Sequence, residues 1–164
     1  MAESFELHLA RDVAAPYDEA VEVLRSGPER WLPGFERDGG RVTGQLAFDQ
    51  VGRRLARRVE VTLGSVQPFA YGVTVRLEWK GARRPQLYPR LDGHLRLERG
   101  LASGSRLRFD ARYVPPAGGL GASLDRAVMH RVAAATVNDF LDRVADVLAG
   151  APPTPTPPPT GPST

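Results

Sequence analysis

From Phe69 to Lys80 the chain alternates with a period of two. Phe69, Tyr71, Val73, Val75, Leu77 and Trp79 are apolar, while Ala70, Gly72, Thr74, Arg76, Glu78 and Lys80 between them are small or polar. A β-strand sends successive side chains to opposite faces, so this stretch predicts a long strand with one face buried and one wet. The same parity sets Phe5, Leu7 and Leu9 against Glu6 and His8, and Val42, Gly44, Leu46 and Phe48 against Thr43 and Gln45. It recurs in Leu91, Gly93, Leu95 and Leu97, and again in Leu107, Phe109, Ala111 and Tyr113. Leu55, Val59, Val61 and Leu63 share one side of a further segment, with Arg57 on that same side. Six strands joined mainly by short glycine-containing connections predict an antiparallel sheet with one polar face. Gln86 to Tyr88 is either a short seventh strand or loop.

Two stretches break the alternation. Ala15 to Leu24 has Pro16 near a helix start and Asp18 and Glu19 just after it, and Gly27-Pro28 introduces a second piece, Glu29 to Leu32. Proline and acids favour a helix N-terminus, so two short helices follow the first strand. Leu120 to Leu148 holds no proline and one early glycine, and as a helix would be about 43 Å long. At 100° per residue Met129, Ala133, Val137, Phe140, Leu141, Val144 and Leu148 form one stripe, opposite Asp139, Asp142, Arg143 and Asp146. That stripe must press on the apolar face of the sheet. After it, Ala151 to Thr164 carries seven of the 15 prolines and four threonines without charge, a composition that predicts a disordered, polyproline-like tail.

The order of these elements, with the residues at their joints, carries a family resemblance. Phe5 through Ala15-Pro16, then Trp31-Leu32-Pro33-Gly34, then Tyr113-x-Pro115-Pro116 leading into Leu124-Asp125-Arg126 and His130-Arg131-Val132-Ala133, resemble the opening, second short helix and closing segment of a bacterial branch of the START-like or Bet v 1-like superfamily. That superfamily, also called SRPBCC, includes polyketide cyclases and lipid carriers. The resemblance covers residues 3–150 and implies an α+β helix-grip domain, in which a curved antiparallel sheet of six to seven strands wraps a long C-terminal helix. It specifies the fold closely and an activity hardly at all, because such domains share a cavity and little catalytic sequence.

Composition fits one domain over 3–150 and a tail over 151–164. The 164 residues are 41% hydrophobic and 25% charged, ordinary for a globular domain. With no cysteine there is no disulfide framework, thiolate metal site or cysteine nucleophile, and three scattered histidines argue against a metal; no cofactor is expected. The opening Met1-Ala-Glu-Ser-Phe-Glu carries acid where a secretory signal needs base, and no apolar run approaches a membrane span, so a cytoplasmic location is expected. Arg53, Arg54, Arg57 and Arg58 invite a nucleic-acid reading, but the strand period splits them between two faces, and a net charge of +3 is a weak field. No nucleic-acid partner is expected, and the oligomeric state is left open.

A sheet bent around one helix, with two short helices at its end, leaves a concave apolar space. Its expected wall is Trp31, Leu46, Phe48, Tyr71, Val73, Val75, Leu95, Leu97, Phe109, Tyr113 and Met129, with Tyr71 and Tyr113 offering phenols to a ligand. Arg57 falls on the inward parity. Arg126 and His130 are four apart and face one way; over a pocket they would bind a carbonyl or carboxylate, or brace the helix through Asp125 or Asp92. His8 and His94 fall on the wet face. The favoured function is binding of one small hydrophobic or amphipathic molecule, such as a lipid, polyketide or isoprenoid. The alternatives are a cyclase or dehydratase using Arg126 and His130, and a structural domain whose cavity is filled by Phe48, Phe109 and Trp79.

Overall fold

A computed structural model describes residues 4–32, 34–38, 41–50, 53–82, 90–115 and 126–150. In chain order the elements are β1 (Phe5–Val13), α1 (Tyr17–Arg25), α2 (Pro28–Trp31), β2 (Phe35–Asp38), β3 (Arg41–Gln50), β4 (Arg53–Leu63), β5 (Gln67–Phe69), β6 (Gly72–Gly81), β7 (Arg90–Arg99), β8 (Ser105–Val114) and α3 (Arg126–Leu148). The strands form one curved antiparallel sheet in the order β1-β8-β7-β6-β4-β3-β2, with β5 paired to β6 alone. The α+β helix-grip architecture expected from the sequence is what the chain adopts. Two short strands, β2 and β5, join the six that alternation marks. The region of Gln86 to Tyr88 and the tail from Ala151 lie outside the described residues.

One correction concerns the longest alternating run. Phe69 pairs with Gly72 across a tight hairpin, so Ala70 and Tyr71 form its turn and β6 begins only at Gly72. In a turn the period-two rule lapses, and Tyr71 is 76% exposed where parity had placed it inward. Its ring meets Phe69 edge-on at 6.3 Å. Beyond the turn the parity holds, with Val73, Val75, Leu77 and Trp79 all buried.

Register aligns the inner face in rows. Trp79, Leu91, Tyr113 and Phe5 form one row across β6, β7, β8 and β1. Leu77, Gly93, Ala111 and Leu7 form the next, and Val75, Leu95, Phe109 and Leu9 the third. α3, at 23 residues about 34 Å long, lies over these rows. Its Ala133, Val137, Phe140, Leu141, Val144 and Leu148 are buried, as the stripe requires. The Phe140 ring stands 5.3 Å from that of Trp79, nearly perpendicular, and 6.0 Å from that of Phe109. Those two partners sit diagonally across the middle row, on either side of Gly93. From the edge strand, Arg11 reaches Asp142 and Asn138 of α3 and clamps the helix lengthwise.

The outer face is a lattice of cross-strand ion pairs. Arg112 meets Glu6 at 3.1 Å, Arg108 meets Glu98 at 3.1 Å, Arg96 and His8 both meet Asp110 at 2.8 Å, and Arg76 meets Asp92 at 3.0 Å. Arg76 holds the Asp92 carboxyl below its ordinary range, chiefly by the hydrogen bonds it donates. Such exposed pairs add little stability each, but they keep the wet face polar and its arginines matched with acids.

Candidate functional site

The sequence of α1 and α2 determines what happens at one end of the sheet. Ala20, Val21 and Leu24 are buried on one side of α1, and the helix stops at Ser26, whose Oγ donates to the Val23 carbonyl at 2.6 Å. Gly27 then takes φ +118°, a backbone angle that side chains resist, and swings the chain into Pro28 and α2. On the other end of α1's approach, buried Ser105 Oγ donates to the Ala15 carbonyl at 3.1 Å and ties the start of β8 to the segment entering α1.

Between the α1–α2 turn and the ends of β3, β4 and β6 a cleft of about 430 Å³ remains. Its floor is apolar, with Leu24, Trp31, Val42, Val61 and Val75 all buried. The half-buried Leu63 and Val66 lead out toward the mouth, where the loop of Gly64, Ser65 and Val66 faces the α1–α2 turn. Arg25, Arg37, Glu60, Thr62 and Ser65 supply its polar side chains. An apolar floor beneath a small set of polar groups is what a small-molecule site requires. Among the described residues no group of three or more His, Asp or Glu is arranged to hold a metal, and no helix is long and apolar enough to cross a membrane.

The residues singled out from the sequence distribute unevenly around this cleft. Trp31 and Val75 line it. Val73, Leu95, Phe109 and Tyr113 are buried on the inner face of the sheet but do not border this cleft. Tyr71 is at the surface. His130 is exposed, its ring 5.6 Å from that of Phe5, at the start of β1. His130 does not border this cleft. Asp92, a possible brace for that helix, is engaged with Arg76 instead. The side chains of Phe48, Arg57, Arg126 and Met129, like Asp125, lie outside the described residues.

Sequence reasoning missed Leu24, Arg25, Arg37, Thr62 and Val66 as lining residues. The signal for the first two was present in the helical spacing of Ala20, Val21 and Leu24, which turns the end of α1 toward the sheet. The others depend on how far β4 extends past its neighbours, which alternation does not encode.

Tyr113 offers a measurable check on the packing beneath α3. Burial pushes its phenol up from 10.0 to about 12, because the phenolate loses water in the core. A raised acid pKa in the fold means full stability while the phenol is neutral in both states. Between about pH 10 and 12 the unfolded chain gives up the proton first, and stability falls by an amount on the order of 2–3 kcal/mol. Urea unfolding followed across that window should show a decline that Tyr113→Phe flattens; identical profiles for the two proteins would mean that the phenol is not buried.

Comparison with known proteins gives likeness of structure alone. No protein-family model matches the chain, and no curated protein matches it. A conserved protein from Geobacillus kaustophilus superposes with a TM-score of 0.61 at 14% identity, covering 89% of this chain and 96% of that one. The Zhui aromatase/cyclase from Streptomyces sp. R1128 gives 0.54 at 16% identity, covering 90% and 93%. Ara h 8.0201, a Bet v 1 allergen, gives 0.52 at 10% identity, covering 90% and 97%. With two short helices after β1 and a long helix grasped by the sheet, the chain shares the helix-grip fold of these structures.

Proposed function

We propose that the protein binds one small hydrophobic or amphipathic molecule, and that the binding site is the cleft between the α1–α2 turn and the ends of β3, β4 and β6. The observation that carries this reading is the cleft itself: about 430 Å³ bordered by a buried indole and aliphatic side chains together with Arg25, Arg37, Glu60, Thr62 and Ser65. Burying apolar ligand area against that floor gives the driving force, about 25 cal/mol per Å², set against the ligand's lost freedom. The likeness to an aromatase/cyclase and to a Bet v 1 allergen is compatible with a bound guest and does not specify one. A cyclase-type reaction would need its acid and base at the guest, and His130 is not among the residues that border the cleft. Binding without turnover is therefore the reading we carry forward.

The neutral fluorophore N-phenyl-1-naphthylamine tests it. Titration should give one saturable site with a Kd in the range of about 1–100 µM. Val66→Trp, which fills the mouth from a half-buried loop position, should weaken that binding at least about tenfold while thermal stability holds. Tyr71→Trp, an equal enlargement on the surface, should leave it unchanged. Absence of saturable binding, or equal binding by Val66→Trp, refutes the cleft as the site.

A further inference from the structure

We infer that the guest is an amphiphile with an anionic head, most simply a carboxylate on an apolar body, and that Arg25 holds that head at the rim. The inference rests on the cleft reading above and specifies the ligand's charge. Three ionised side chains border the cleft: Arg25, Arg37 and Glu60. Two of them are already matched. Arg37 donates through Nε to Glu29 of α2, and Glu60 meets Lys80 at 3.5 Å. Arg25 makes no ion pair among the described residues, so the rim carries one uncompensated positive charge.

Its position follows from the helix. Arg25 is the last residue of α1, where the free carbonyl ends carry partial negative charge and attract a cation. Without the guanidinium those same carbonyls would repel an anion at this rim. The opposite lip adds a neutral donor. Ser65 Oγ accepts a hydrogen bond from Gln67 Nε2 at 2.5 Å, which leaves the hydroxyl proton itself available to donate. A planar guanidinium on one lip and a hydroxyl donor on the other suit a carboxylate better than an alcohol, an amine or a second apolar group.

The test compares two guests with one tail, dodecanoate and dodecan-1-ol, each displacing N-phenyl-1-naphthylamine from the full chain below micelle-forming concentrations. At a pH well above the carboxylate range, dodecanoate should bind about tenfold more tightly than the alcohol. Arg25→Gln should erase that preference and leave the alcohol's affinity within about twofold, because an exposed helix-end residue contributes little to folding. Arg30→Gln, which removes an equal charge from an exposed position on α2 outside the cleft lining, should retain most of the preference. Equal affinities for acid and alcohol in the unaltered protein, or a preference that survives Arg25→Gln, overturns the anionic-head assignment while the cleft stands. Failure of the fluorophore itself to bind overturns both.

Discussion

Phe140→Ala should cost the fold about 3–5 kcal/mol, measured as a drop in the urea midpoint at unchanged slope. Phe140 is the one aromatic side chain of α3, and it meets the rings of both Trp79 on β6 and Phe109 on β8. Removing it leaves a void between the helix and the centre of the sheet that these rigid neighbours cannot fill. One edge-on and one tilted aromatic contact are lost as well, each contributing about 1 kcal/mol beyond simple burial. Trp79 Nε1 is buried without a hydrogen-bond partner among the described residues, and a single indole N–H is too little to hold a water in the otherwise apolar void. A cost under about 1 kcal/mol would mean that α3 does not rest on the sheet in this way.

Gly93→Val should be comparably damaging for the opposite reason. Gly93 lies in the middle row of the inner face, between the Trp79 and Phe109 positions that flank Phe140. A Cβ at this position would stand 2.6 Å from the Asp110 carbonyl oxygen and 2.7 Å from the Ala111 Cβ. The first of these is backbone of the adjacent strand, so relief requires moving β8 or breaking the β7–β8 ladder, and the two γ-carbons of valine add further bulk beneath α3. Overpacking of this kind costs about 1–3 kcal/mol in a core that can adjust, and here the upper end is expected. Gly93→Ala, with the same Cβ and no γ-carbons, should lie between the two proteins; a stable Gly93→Val protein would contradict the register across β7 and β8.

Much of this architecture could be read before any coordinates. Where one face is buried and one wet, a single-residue slip would expose every apolar side chain, so Val73–Trp79, Leu91–Leu97 and Leu107–Tyr113 announce their strands unambiguously. The stripe on α3 is legible for the same reason. Phe35–Asp38 and Gln67–Phe69 are too short to show a period, and the hairpin turn at Ala70 and Tyr71 happened to continue the alternation of the strand after it. That accident put an exposed tyrosine on the list of pocket residues.

The site was less legible than the fold, and the reason is geometric. Parity says which face a residue occupies but not where along the strand the helix stops covering it. Trp31 and Val75 were found because they are apolar and inward; Phe109 and Tyr113 satisfy the same rule and belong to the core beneath α3. Arg25 was passed over because an exposed arginine at a helix end resembles any other solvated charge. Its meaning comes from Gly27, whose positive φ carries the chain across the sheet end and brings the end of α1 to the lip of an apolar cleft.

A crystal soaked with 1-bromonaphthalene tests the central claim most directly, because bromine marks its own position by anomalous scattering. The account predicts one dominant peak within contact distance, about 4 Å, of the Trp31 indole and Val61, between the α1–α2 turn and the Gly64–Val66 loop. A dominant peak beneath the start of α3 beside Tyr113, or bromine scattered over the surface with none against Trp31, would contradict it.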